Sequence, residues 1–158
     1  MDIYKEKKLR IKSYFDTVAR TRIQYRKRKH YYWDSITDYC NFFIQPDCSV
    51  LEIGCGTGEL IAQINGNEKT GIDFSETMIE EAKRQFPNLE FICMPAEEIT
   101  LVKKYDVIIL SNLVGYLPDI QHVFEELKKV SHEKTKIIIT YYNIFWEPLI
   151  KFAEFIGI

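Results

Sequence analysis

Val50-Leu51-Glu52-Ile53-Gly54-Cys55-Gly56-Thr57-Gly58 is a short apolar run that stops at a glycine and continues as G-x-G-x-G. The run Val50 to Ile53 reads as a buried strand, and Glu59 to Ile64 reads as an amphipathic helix before the turn at Asn65 and Gly66. A tight glycine turn between strand and helix lets a ligand approach the backbone closely. The N–H groups that open the helix then face that ligand.

The same alternation continues downstream. Lys69 to Ile72 is a second strand, and Ser75 caps a helix whose inner face carries Met78, Ile79 and Ala82 and which Pro87 ends. Glu90 to Cys93 is a third strand. Tyr105 to Leu110 is apolar enough for a central strand covered on both faces. Ile120 to Val130 follows as a helix with Val123, Phe124 and Leu127 inward, and Lys136 to Tyr141 is strand five. Strands that alternate with helices pair in parallel through right-handed crossovers, so the expected fold class is α/β, a doubly wound and mostly parallel sheet.

The loop departs from a dinucleotide fingerprint, which needs glycine at its first, third and sixth positions. Here the sixth position is Glu59, and a carboxylate there repels a pyrophosphate but tolerates a cationic ligand without phosphates. Asp73 directly follows the second strand, placed to accept both hydroxyls of a ribose.

The segments VLEIGCGTGEL and GIDFSETMIEEAKR closely resemble the first two motifs of class I S-adenosylmethionine-dependent methyltransferases, and the resemblance runs from about Ser49 to Tyr142. It implies a strand order of 3-2-1-4-5 and S-adenosyl-L-methionine as cofactor. By the same resemblance Glu52 and Gly54, Cys55, Gly56, Thr57 and Gly58 surround the methionine part. Asp73 holds the ribose, and Phe74 and Met78 flank the adenine. The family often carries Gly-Asp-Ala-Glu after strand three, whereas this chain reads Met94-Pro95-Ala96-Glu97. Pro95 removes the aspartate that meets the adenine amino group, leaving Glu97 and the Ala96 backbone N–H for the ring. Ser111-Asn112-Leu113 resembles the segment that borders the methionine end and is not the Asn-Pro-Pro-Tyr motif of adenine-directed DNA enzymes.

Methyl transfer from a sulfonium is an in-line displacement that depends on positioning, so few catalytic side chains are needed. Where a hydroxyl is the nucleophile, His122, Tyr116, His30 and Glu97 are candidate bases, and none is singled out by its context. Tyr14-Phe15-Asp16, followed by Arg20, Arg22 and the basic run Arg26 to His30 with Tyr31 and Tyr32, reads either as a solvated helix with an aromatic inner face or as a lid. In the lid reading, Tyr14 or an arginine meets the cofactor carboxylate. This start, with Trp146-Glu147-Pro148-Leu149, is also similar to bacterial methyltransferase domains associated with sugar-transferring enzymes, which implies a glycan acceptor.

Composition narrows the alternatives. The 21 basic and 23 acidic residues give a net charge of −2, which offers no whole-chain case for nucleic acid. No stretch is long and apolar enough for a membrane span, and no signal sequence opens the chain, so the expected location is cytoplasmic. Cys40, Cys48, Cys55 and Cys93 lack metal-ligand spacing and read as buried reduced thiols, with no metal expected.

The 158 residues read as one domain: a helical lid over 1–46, a cofactor core over 47–142 and an apolar helix over 143–158. Phe145, Trp146, Leu149, Ile150, Phe152, Phe155 and Ile156 in that last helix need a covering surface. A complete family member continues with a helix and an antiparallel hairpin, so a fragment of a longer chain or a dimer is expected. The leading function is methyl transfer to a small-molecule or glycan acceptor. The alternatives are a cofactor-binding module without turnover, and an RNA or DNA methyltransferase using the basic segment.

Overall fold

A computed structural model describes residue 6, residues 10–17 and residues 30–141. Residues 10–17 form helix α1. The order that follows is α2 (His30–Phe43), β1 (Ser49–Ile53), α3 (Glu59–Gln63), β2 (Glu68–Asp73), α4 (Glu76–Gln85), β3 (Glu90–Cys93), β4 (Tyr105–Ser111), a 3-10 turn (Val114–Tyr116), α5 (Ile120–Val130) and β5 (Ser131–Thr140). The expected apolar helix over 143–158 and the basic run Arg20 to Lys29 lie outside the described residues.

The five strands form one sheet in the order β3-β2-β1-β4-β5, every pair parallel, as the motif resemblance implied. β1 is central, and its residues Val50 to Ile53 are all buried because both neighbours and both faces cover it. Side-chain alternation divides those residues between two cores. Val50 joins Cys40, Ile44, Leu60, Ile61, Ile79 and Ala82 beneath α2, α3 and α4. Leu51 and Ile53 join Ile72, Ile108, Leu110, Val123 and Leu127 beneath α5. Each such aliphatic side chain contributes roughly 1.5–3 kcal/mol relative to leaving it in water, enough for β1 to anchor both layers.

Helix ends follow local chemistry. The Ser75 hydroxyl accepts the Met78 N–H at 3.2 Å to start α4, while Lys83 and Arg84 lie in its last turn, where cations oppose the helix dipole. Asp119 accepts the His122 N–H at 2.9 Å to start α5. On the inner face of α5, Val123 and Leu127 are buried as expected and half-buried Phe124 packs against the same core. Glu126 is buried as well, and its Oε2 accepts the Ile99 N–H at 2.8 Å. The backbone hydrogen bond compensates the burial of a charged group that periodicity assigns to solvent.

β5 begins five residues earlier than its apolar run, with Tyr105 paired to Ser131 and the regular ladder resuming at Val107 with Lys136. It is the sheet edge, and Ile137 and Ile139 remain 42% and 45% exposed among the described residues. The chain moves from β1 to β2 and β3 on one side, then returns to β4 on the other. The reversal leaves a crevice beyond the carboxyl ends of β1 and β4, the place where open α/β sheets take their ligands.

Candidate functional site

The glycine loop sits at the carboxyl end of β1. The N–H groups of Gly54 and Cys55 both donate to the Ile72 carbonyl, at 2.8 and 3.0 Å, and fasten the loop to β2. Gly54, Gly56 and Gly58 have φ values of 74°, 55° and 83°. At Gly58 a side chain is excluded twice, because a Cβ would stand 2.6 Å from Phe91 Cζ in a left-handed backbone. At Gly54 it would stand 2.8 Å from Leu113 Cδ1, so the absence of side chains also lets the segment after β4 close against the loop.

Asp73, the last residue of β2, joins loop and helix. Its Oδ2 accepts the Gly56 N–H at 2.9 Å and its Oδ1 accepts the Ser75 N–H at 3.0 Å. The side chain is 8% exposed. These two bonds orient the carboxylate between the glycine loop and the start of α4.

Two carboxylates of the loop turn inward. Glu52 is 2% exposed and its Oε2 accepts the Ile61 N–H at 3.0 Å, capping the first turn of α3 from the strand below. This bond fixes Glu52, which the resemblance placed around the methionine part, between β1 and α3. Glu59 receives the Thr57 hydroxyl at 2.7 Å from both of its oxygens and is buried. Glu52 also adds to burial in pushing the nearby Cys40 thiol up to about 12.

Of the two residues expected to flank the adenine, Phe74 is half-buried and Met78 is fully buried on the inner face of α4. The Met94 N–H donates to the Asp73 carbonyl at 2.8 Å, so the segment carrying Pro95, Ala96 and Glu97 leaves β3 beside the ribose acid. Ala96 points into the core beneath α5. At the opposite side of the crevice, Asn112 has a left-handed φ of 52°, uncommon outside glycine and enriched near functional sites. Its N–H donates to the Thr140 carbonyl, and its Oδ1 accepts the Tyr32 hydroxyl at 3.1 Å. Ser111 accepts the Thr140 hydroxyl at 3.1 Å.

Neighbouring aromatics of α1 divide between solvent and sheet. Tyr14 is 60% exposed and packs edge-on against Phe15. Phe15 instead lies 6.4 Å from the Phe74 ring and 5.2 Å from the Tyr116 ring, spanning from the end of β2 to the turn after β4. Asp16 Oδ1 accepts the Ser75 hydroxyl at 2.5 Å. Successive helix residues differ by about 100° in direction, so adjacency in sequence did not reveal which aromatic faces the sheet. Phe15, Asp16 and Tyr32 are therefore candidate site residues that the sequence reading did not single out.

The candidate bases separate. Tyr116 is 46% exposed at the crevice, whereas the His122 ring is engaged with the Glu97 carbonyl at 3.0 Å. The side chain of His30 lies outside the described residues. Cys40 and Cys55 are buried as expected, but Cys48 is only partly covered and Cys93 is exposed, since it ends a strand at the sheet margin.

A reversed-order parallel sheet with a left-handed glycine loop tied to an acid at the end of the next strand defines a Rossmann-like nucleoside-cofactor domain. Residues 44–154 match a family model described as a methyltransferase domain, and the chain belongs to that family, the class I S-adenosylmethionine-dependent methyltransferases. It is 37% identical over 84 residues to malonyl-[acyl-carrier protein] O-methyltransferase of Bacillus anthracis, covering 49% of this chain and 31% of that protein. It is 26% identical over 109 residues to the ubiquinone/menaquinone biosynthesis C-methyltransferase of Campylobacter jejuni, covering 63% and 46%. The chain thus spans less than half the length of these curated relatives. Among solved structures, the plantazolicin methyltransferase BpumL in complex with a triazolic desmethylPZN analog and SAH superposes with a TM-score of 0.64 at 23% identity, covering 93% of this chain and 64% of that one. A Thermotoga maritima methyltransferase superposes with a TM-score of 0.71 at 17% identity, covering 89% and 67%, a likeness of fold.

The cofactor of the family is S-adenosyl-L-methionine, and the donor set fits it. Glu52 of β1, Glu59 after the loop and Asp73 of β2 make the surroundings acidic, with no cation within residues 52–59, which suits a cationic sulfonium with a ribose and no phosphate.

Proposed function

We propose that this chain binds S-adenosyl-L-methionine across the carboxyl ends of β2, β1 and β4 and transfers its methyl group to a small-molecule or glycan acceptor. The observation that carries the reading is the Gly56 to Asp73 hydrogen bond, which holds the glycine loop and the ribose acid in one fixed unit. The cofactor supplies an electrophilic methyl on sulfur. Asp73 holds the ribose hydroxyls, and the loop Gly54 to Gly58 accommodates the methionine part against bare backbone. Ser111 and Asn112 border the acceptor end, with Tyr32 fixing the Asn112 amide. Phe15 with Phe74 and Tyr116 reduces water access from above, as an in-line displacement favours.

The small-acceptor reading draws support from relatives named for malonyl-[acyl-carrier protein] and ubiquinone/menaquinone, and from the net charge of −2. No described helix is long and apolar enough to cross a membrane, in keeping with the cytoplasmic location we favour.

Calorimetric titration of the chain with S-adenosylmethionine and, separately, NAD tests the cofactor assignment. Saturable binding of the methyl donor alone is expected. Binding of NAD alone would overturn it. A screen of labelled methyl transfer to carboxylate, quinol, sugar and oligonucleotide acceptors then tests the acceptor class, and transfer to the oligonucleotide alone would replace the small-acceptor reading.

A further inference from the structure

The segment after β3 is gripped by α5 on both its acceptor and its donor. The His122 ring nitrogen Nε2 lies 3.0 Å from the Glu97 carbonyl, and Glu126 Oε2 lies 2.8 Å from the Ile99 N–H. His122 and Glu126 are four residues apart, so they stand one above the other on a single face of the helix. A carbonyl oxygen only accepts, so Nε2 carries the proton in this contact. Asp119 fixes the turn from which His122 projects by accepting its backbone N–H. Lys129 pairs with Glu126 on the outer side and holds the carboxylate in its charged form.

The clamped segment is also the one that departs from the pattern of the resembling family. Pro95 stands where the resembling family often has an aspartate, so recognition on this side falls to the backbone near Ala96 and to Glu97. That backbone leaves the sheet next to Asp73, through the Met94 N–H to Asp73 carbonyl bond. Positional precision in a backbone contact depends on what holds the backbone, and here part of the hold comes from two side chains of α5.

We propose that His122, with Glu126, is a positioning residue for the adenosine half of the cofactor, acting through the Glu97 to Ile99 backbone, and not a base toward the acceptor. The proposal rests on the cofactor reading above.

The test is the affinity of wild type, His122→Ala and His122→Gln for S-adenosylmethionine and for 5′-methylthioadenosine, measured calorimetrically without any acceptor. Glutamine carries an N–H the same number of bonds from Cα as Nε2, so it can donate to the same carbonyl. His122 is itself exposed, at the margin of the face that packs on this segment, so the variants are expected to fold, which thermal unfolding checks.

Loss of one hydrogen bond holding a binding segment is expected to weaken both ligands by about three- to tenfold in His122→Ala, with His122→Gln close to wild type. Equal affinities of wild type and His122→Ala would overturn this proposal while leaving the cofactor reading intact. A loss in His122→Ala that glutamine does not restore would also overturn it. Wild-type chain that binds neither ligand would remove the cofactor reading and this inference together.

Discussion

The Gly56 N–H donates to Asp73 Oδ2 at 2.9 Å, which makes the glycine loop after β1 and the acid at the end of β2 parts of a single hydrogen-bonded unit. The second oxygen of Asp73 accepts the Ser75 N–H and so reaches the cap of α4. One carboxylate thereby positions both walls of the cofactor crevice.

Asp73→Ala is expected to act twice. Loss of the hydroxyl acceptor weakens S-adenosylmethionine binding by roughly 1–3 kcal/mol, and the Gly56 and Ser75 N–H groups lose a buried partner, which lowers the melting temperature as well. Calorimetry and thermal unfolding read the two effects separately. Full cofactor affinity in the folded variant would remove Asp73 from the site.

Gly58→Ala is expected to destabilise the fold by about 1–3 kcal/mol, since its Cβ meets Phe91 at 2.6 Å and its φ is 83°. A lowered urea midpoint with an unchanged slope is the expected signature. An unchanged midpoint would show that the loop relaxes without the left-handed glycine.

Asp106 governs part of the acid limb of stability. It accepts the Ser49 N–H at 2.8 Å and hydroxyl at 2.7 Å, and these bonds, with His132 3.1 Å away, hold its carboxyl below the ordinary value. A carboxylate depressed in the folded state adds stability above its unfolded pKa, near about 3.9. That stability is lost as pH falls through the lower folded value. Asp106→Asn should therefore lower stability near neutral pH, by about 1 kcal/mol or less for so exposed a group, and flatten the decline below about pH 4. Denaturant midpoints from pH 3 to 7 check the shape.

Thiol labelling should rank the cysteines by exposure. Cys93 is exposed, whereas Cys40 and Cys55 are buried and the Cys40 thiol is pushed up to about 12, far from the reactive thiolate. Mass spectrometry after brief alkylation of the native chain should find Cys93 modified and Cys40 intact. Early loss of Cys40 would mean that the core beneath α2 opens readily.

The amino-acid sequence by itself determined the sheet and the cofactor loop, because both rest on local signals. Continuous apolar runs marked β1 and β4, Ser75 marked the start of α4, and glycine spacing with Asp73 marked the ligand class. Strand order followed from family motifs and not from hydropathy. Tertiary structure alone decided which side chains of those elements face the crevice. It selected Phe15 over its neighbour Tyr14, brought Tyr32 to Asn112 across 80 residues and turned Glu52 toward α3. It also buried Glu126, which lies off the apolar stripe of α5, and engaged His122, only a weak candidate base in the sequence, with the post-β3 backbone. The reason is physical: periodicity reports burial along one element, whereas a site is made where side chains from distant elements meet, and their orientation depends on packing that no local window contains.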